Sequence, residues 1–199
     1  MKNGFFSVPR PVNEPVFDYK KNSPERKEVL ETYAALYNST IDVPLYIGSK
    51  KIVTKERAKM APPHDHKHTL GSFSMAEASH VTQAIDAALA ASPDWENTSF
   101  EHRAAVFLKA ADLIAGPYRA RINASTMLAQ SKNIFQAEID AACEFADFLR
   151  FNVAFASDIY AQQPVQGDGV INRLEYRPLE GFVYACLLYT SDAADDVAS

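Results

Sequence analysis

The apolar positions of the chain fall into several stretches of helical spacing, separated by shorter runs with the alternation of strands. Val29, Leu30, Tyr33, Ala34 and Tyr37 share one helix face. Ser23-Pro24-Glu25 ahead of them supplies an N-cap, a proline at the first helical position and an early acid. Ala78, Val81, Ile85, Ala88 and Leu89 form a second stripe, expected to end before Pro93, and Ser74-Met75-Ala76-Glu77 reads as its capping box. Thr98-Ser99-Phe100-Glu101 repeats that device before Ala104, Phe107, Leu108, Ala111 and Ile114, and Gly116-Pro117 stops the helix. A further helix is expected from Pro117 to about Ser131, with Ile122 and Leu128 buried. The longest should run from about Phe135 to Tyr160, with Ile139, Ala142, Cys143, Ala146 and Leu149 on one face.

Strand signals are fewer. Pro44-Leu45-Tyr46-Ile47 and Lys51-Ile52-Val53-Thr54 flank Gly48-Ser49-Lys50, which predicts a β-hairpin. Val170 to Arg177 partly alternates, as an antiparallel strand with one solvated face does. Gly181 to Ala185 is continuously apolar and predicts a strand buried on both sides, entered through the turn Arg177-Pro178-Leu179-Glu180. Helices leading into such a strand imply an α/β protein whose main sheet has barely started. Residues 1–23, with Pro9, Pro11 and Pro15, are expected to run as an extended surface arm.

Composition narrows the function classes. The 47% hydrophobic and 23% charged content is that of a soluble globular protein, and a formal charge of -5 excludes the basic footprint of a nucleic-acid binder. No apolar run is long enough to span a membrane. Met1-Lys2-Asn3-Gly4-Phe5-Phe6 lacks a signal-peptide core, and Glu14 and Asp18 argue against a transit peptide. The two cysteines, Cys143 and Cys186, make neither a disulfide framework nor a zinc motif, so a cytoplasmic setting is expected.

Candidate chemistry is sparse. His64-Asp65-His66-Lys67-His68 offers metal-ligand types, but they alternate between Pro63 and Gly71 without converging partners, so a solvated loop is preferred and no metal is assigned. Asp140, Glu144 and Asp147 share a helix face, either as a solvated acidic edge or as a polar site. Cys143 lies on the apolar stripe, where a buried small hydrophobe is favoured over a nucleophile.

Taken in order, these segments resemble the N-terminal part of an aldehyde dehydrogenase. The match is carried by Pro44-Leu45-Tyr46-Ile47-Gly48, by Trp95, and by Arg103 to Leu113. Gln136 to Asn152 and Arg177 to Val183 point to the branch that oxidises L-glutamate γ-semialdehyde. The resemblance covers roughly residues 1–185 and implies an aldehyde dehydrogenase-like α/β fold. Of that fold the chain would hold only the mostly helical N-terminal part, a β-hairpin and the first strands. Residues 1–40 would be an arm and helix, 41–185 the start of the NAD-binding and oligomerisation region, and 186–199 a non-native, artefactual tail.

The same resemblance implies NAD as hydride acceptor, a small-molecule substrate (glutamate semialdehyde, oxidised to glutamate in proline degradation), and a homo-oligomer with no nucleic-acid or membrane partner. The family works through a cysteine thiolate and a glutamate base that lie further along than this chain reaches. No catalytic, cofactor-binding or metal residue is therefore expected here, and Cys186 stands at the wrong place to be the nucleophile. Glu144 alone matches a helix glutamate that faces the substrate pocket in this branch, where its carboxylate would orient the substrate's amino group. The chain itself is expected to be inactive; the alternative is a non-catalytic helical interaction module derived from such an enzyme.

Overall fold

A proline at the first position and a serine before it start helix α1 (Pro24–Tyr37) as the sequence predicts: the Arg26 N–H donates to Ser23 Oγ (3.3 Å). The computed structural model describes residues 6–185; the expectations for Cys186 and the 186–199 tail lie outside them. α1 packs across α4 (Arg119–Gln130), burying Val29 with Tyr19 and Ala124, and Tyr33, Leu36, Met127 and Ile134 close around them.

Five short strands follow α1. β2 (Leu45–Ile47) and β3 (Lys50–Ile52) form the predicted hairpin, with Leu45 opposite Ile52 and Ile47 opposite Lys50. Its loop is Gly48-Ser49, and the φ of +57° at Gly48 suits a tight hairpin turn. Around it lies a small sheet not expected from the sequence. β5 (Gly71–Ser74) is central, β1 (Ile41–Val43) pairs with it in parallel, and β4 (Arg57–Met60) pairs antiparallel. These strands are three or four residues long, too short for an alternation to show.

Helix α2 (Ala78–Asn97) corrects two expectations. Ser74 is not its cap: that residue ends β5, is buried, and its Oγ accepts from the Thr54 N–H (3.2 Å). The cap falls at Glu77, whose N–H donates to His80 Nδ1 (3.1 Å). Nor does Pro93 stop the helix. Its missing donor forfeits one backbone bond, while Asn97 Nδ2 to the Pro93 carbonyl (2.7 Å) and the Thr98 hydroxyl to the Asp94 carbonyl (2.8 Å) secure the turn beyond.

α3 (Phe100–Ala115) is capped by Ser99, one residue past the Thr98 of the expected capping box, and ends at Gly116. It lies along α6 (Glu144–Ala161), where Ala111, Ile114 and Ala146 are buried and the two alanines let the backbones approach. The long helix expected from Phe135 to Tyr160 is present but not uniform. α5 (Ile134–Ala137) runs into a π-helical segment, Glu138–Cys143, which continues as α6.

The histidine segment expected to be a solvated loop docks on α1 and α4. His64 lies 2.8 Å from Ser131 Oγ, the Tyr37 hydroxyl donates to Asp65 (2.8 Å), and the His68 ring stacks on Tyr37 with centroids 3.7 Å apart. Among the described residues no group of His, Cys, Asp and Glu side chains is arranged to hold a metal.

The two strands expected within 170–185 do not form among the described residues. A strand needs a neighbour to pair with, and here side chains take that place. The Gln163 amide exchanges two hydrogen bonds with the backbone of Leu174 (2.9 and 3.2 Å), and the Gln166 amide does the same with Asn172 (2.9 and 2.8 Å).

The sheet depends on Gly71. Its φ is +146°, and an added Cβ would stand 1.8 Å from the Ile41 carbonyl oxygen. Gly71→Ala is therefore expected to destabilise the chain by roughly 2–4 kcal/mol, read as a lowered urea midpoint; an unchanged midpoint would contradict this register.

Candidate functional site

The polar centre of the molecule is a buried ion cluster that gathers the N-terminal arm, α4 and the π segment. Glu138, the first residue of that segment, is fully buried, and both its carboxylate oxygens are engaged. Oε1 accepts from Arg119 Nη2 (2.5 Å) and the Phe17 N–H (2.8 Å). Oε2 accepts from the Tyr19 hydroxyl (2.7 Å), Asn123 Nδ2 (2.7 Å) and Arg119 Nε (3.3 Å). Arg119 reaches further: Nη1 pairs with Glu14 (2.6 Å), Nη2 donates to the Pro15 carbonyl (2.6 Å), and the guanidinium lies 3.8 Å from the Phe17 ring centroid. Arg150 of α6 holds the other Glu14 oxygen (2.6 Å).

These contacts set the charges. Burial alone would raise the Glu138 carboxyl, but the Arg119 guanidinium, the Phe17 amide, Tyr19 and Asn123 outweigh it and hold the group below its ordinary value. Burial and the Glu138 charge push the Tyr19 hydroxyl up. The Cys143 thiol is pushed up to about 12, first by burial and then by Glu138. That thiol is a buried neutral group, as its place on the apolar stripe suggests, and not a nucleophile.

The three helix acids do not act together. Asp140 pairs with Lys132 (2.5 Å) at the surface. Asp147, expected to be a surface acid, instead anchors the arm by accepting from Asn13 Nδ2 (2.8 Å) and the Glu14 N–H (2.7 Å). Glu144 lies between them, half-buried at the start of α6, and its N–H donates to the Ile139 carbonyl five residues back. The expected surface arm is present without helix or strand and mostly exposed over residues 13–18, and side chains tie it down at Asn13, Glu14, Phe17 and Tyr19. The residues the sequence reading missed are Glu14, Tyr19, Arg119, Asn123 and Glu138. A signal existed, since Arg119 and Asn123 share a face of α4 with buried residues and Glu138 stands one turn before Ala142. An arginine and a glutamate on apolar faces are expected to find one another.

Elsewhere an apolar groove of about 280 Å³ runs between α3 and α6, lined by Trp95, Phe100, Phe107, Phe148, Val153 and Tyr160. Among the described residues no helix is long and apolar enough to cross a membrane. No described glycine lies between the end of a strand and the helix after it, so a glycine-rich phosphate loop is not among the described residues.

Residues 52–187 match the model of the aldehyde dehydrogenase family. The chain belongs to that family. The probable delta-1-pyrroline-5-carboxylate dehydrogenase of Schizosaccharomyces pombe is 45% identical over 182 residues, which are 90% of this chain and 33% of that protein. The mitochondrial delta-1-pyrroline-5-carboxylate dehydrogenase of Emericella nidulans is 48% identical over 90% of this chain and 32% of its own length. Among solved structures, the delta-pyrroline-5-carboxylate dehydrogenase of Mycobacterium tuberculosis bound with NAD superposes with a TM-score of 0.88 at 48% identity, covering 91% of this chain and 34% of that one. The fold is therefore the N-terminal part of the aldehyde dehydrogenase fold, and the chain spans about a third of the length of these relatives.

Because the folded-state carboxyl of Glu138 is held below its unfolded value, its contribution is present at neutral pH and is lost as pH falls below about 4. Glu138→Gln is expected to lower stability at neutral pH by about 3–5 kcal/mol and to flatten the acid side of the stability profile. Urea unfolding across pH checks both, and an unaltered acid limb in the variant would contradict the assignment.

Proposed function

We propose that this chain is the N-terminal part of an NAD-dependent dehydrogenase that oxidises L-glutamate γ-semialdehyde, formed from 1-pyrroline-5-carboxylate, to L-glutamate. The observation that carries this reading is the agreement with the Mycobacterium tuberculosis delta-pyrroline-5-carboxylate dehydrogenase bound with NAD: 48% identity and a TM-score of 0.88 over 91% of the chain. Residues 1–40 form an arm and helix, residues 41–185 begin the NAD-binding and oligomerisation region, and the tail past the end of the family match at residue 187 is foreign to it. The nucleophilic cysteine, the glutamate base and the nucleotide-binding residues belong to parts of the whole enzyme that this chain does not carry. The chain alone therefore neither turns over substrate nor holds NAD.

Glu144 is the substrate-binding residue. Its half-buried place at the start of α6 suits a carboxylate that meets an ammonium group, because an ion pair formed there is less screened than one at the surface. In this role Glu144 selects an aldehyde bearing an α-amino group over a plain aliphatic one.

The test is a chimera in which residues 1–185 replace the corresponding third of the Mycobacterium tuberculosis enzyme, assayed for NADH with 1-pyrroline-5-carboxylate. The chimera is expected to reduce NAD and the 199-residue chain to do nothing above a blank. Glu144→Gln in the chimera is expected to raise KM for the semialdehyde about tenfold with KM for NAD unchanged. A folded chimera that oxidises a plain aliphatic aldehyde but not glutamate semialdehyde would overturn the substrate, and turnover by the chain alone would overturn its incompleteness.

A further inference from the structure

The geometry points to a positioning role for Arg119: with the arm strapped over it, this residue holds the π turn whose register decides where the Glu144 carboxylate is aimed. The inference rests on the reading of Glu144 as the residue that binds the substrate's amino group.

A π segment is a rare, locally inferior alternative to the α-helix, and single turns of it cluster where a side chain must be re-aimed. Left to itself, a stretch such as Glu138-Ile139-Asp140-Ala141-Ala142-Cys143 would take ordinary α bonds, since nothing in its composition opposes them. Side chains must therefore hold it, and one atom touches both of its ends. Arg119 Nη2 stands 2.5 Å from Glu138 Oε1 at the first residue and 3.3 Å from Cys143 Sγ at the last. The guanidinium thus spans the segment and sets its length.

The arm then brackets Glu144. On one side Phe17 and Tyr19 are bonded to Glu138, and on the other Asn13 and Glu14 are bonded to Asp147. The strap runs from the start of the π turn to one residue short of a full turn past Glu144. Arg119 ties its middle through Glu14 and the Pro15 carbonyl. Arg150, itself on α6, takes the second Glu14 oxygen and joins the two bodies. Within this frame the Glu144 N–H bonds to Ile139, the five-residue π spacing. Relaxation to an α turn would hand that N–H to Asp140 and rotate Glu144 by about 100° relative to Glu138. A lysine cannot replace the arginine, because an ammonium lacks the planar fork needed to reach Glu138, Glu14 and Cys143 at once.

The experiment is a measurement of nitrogen–carbonyl scalar couplings across hydrogen bonds in the 199-residue chain. In the parent the Glu144 nitrogen is expected to couple to the Ile139 carbonyl. In Arg119→Lys the partner is expected to become Asp140 while the helices persist. Retention of the Ile139 coupling after the arginine is lost would overturn the proposal. Should that variant unfold, Asn13→Ala loosens only the exposed end of the strap; it is expected to speed amide exchange at residues 139–144 at least tenfold, and unaltered exchange there would overturn the proposal equally. In the chimera, Arg119→Lys is expected to raise KM for glutamate semialdehyde without changing KM for NAD. A shifted register with KM unmoved in both Arg119→Lys and Glu144→Gln would locate the failure in the role of Glu144 and not in the positioning.

Discussion

Arg119 and Glu138 are buried together, and each is tolerable only because of the other. A lone carboxylate at full burial would neutralise or drag water inward, and a lone guanidinium has no neutral form to adopt. Bound to each other, to Glu14 and to three donors from the arm and α4, they convert a liability into a constraint on geometry. Removing either partner alone is the costly change, about 3–5 kcal/mol. The arm, α4, the π segment and α6 all take their relative positions from this pair.

The helices were legible because each carries an apolar stripe long enough to count, and α1 and α3 also carry a start signal that works locally. Ser23 with Pro24, Ser99, and the Gly116 stop all behave as their chemistry dictates. The hairpin was legible for the same reason, since a glycine loop between two β-rich runs is a short-range device. Failures came where a partner distant in sequence decides. Ser74 looks like a cap but is claimed by Thr54, and Pro93 looks like a stop but is carried through by side-chain bonds to its own turn. The arm has no regular structure to predict, and its order comes from Glu138, more than a hundred residues away. The 170–185 strands failed oppositely: the pattern is there, but glutamine amides occupy the backbone of Asn172 and Leu174. As for the candidate site, spacing alone grouped Asp140, Glu144 and Asp147, yet each meets different surroundings, and the most consequential acid, Glu138, was outside the group.

What the chain exposes agrees with its share of its relatives. Phe107, Phe148, Phe155 and Tyr160 present an aromatic face on α3 and α6, and α2 buries no residue at all. A third of an aldehyde dehydrogenase carries helices whose apolar sides were selected against surfaces that are not in it. The ion cluster, by contrast, has its charged groups paired within the described residues, and only the Asn123 Oδ1 is left without a partner there. That contrast is why the arm, α4 and the π segment can keep their arrangement apart from the rest of the family's fold.

The Phe17 amide is the most direct witness to this account. It sits in an arm without helix or strand, where an unprotected N–H exchanges at the rate of an unfolded chain, yet it donates to the buried Glu138 carboxylate. Native-state hydrogen exchange should find it protected to the level of the α1–α4 core and released by Arg119→Lys. Exchange at the unprotected rate in the parent chain would contradict the claim that the buried pair orders the arm.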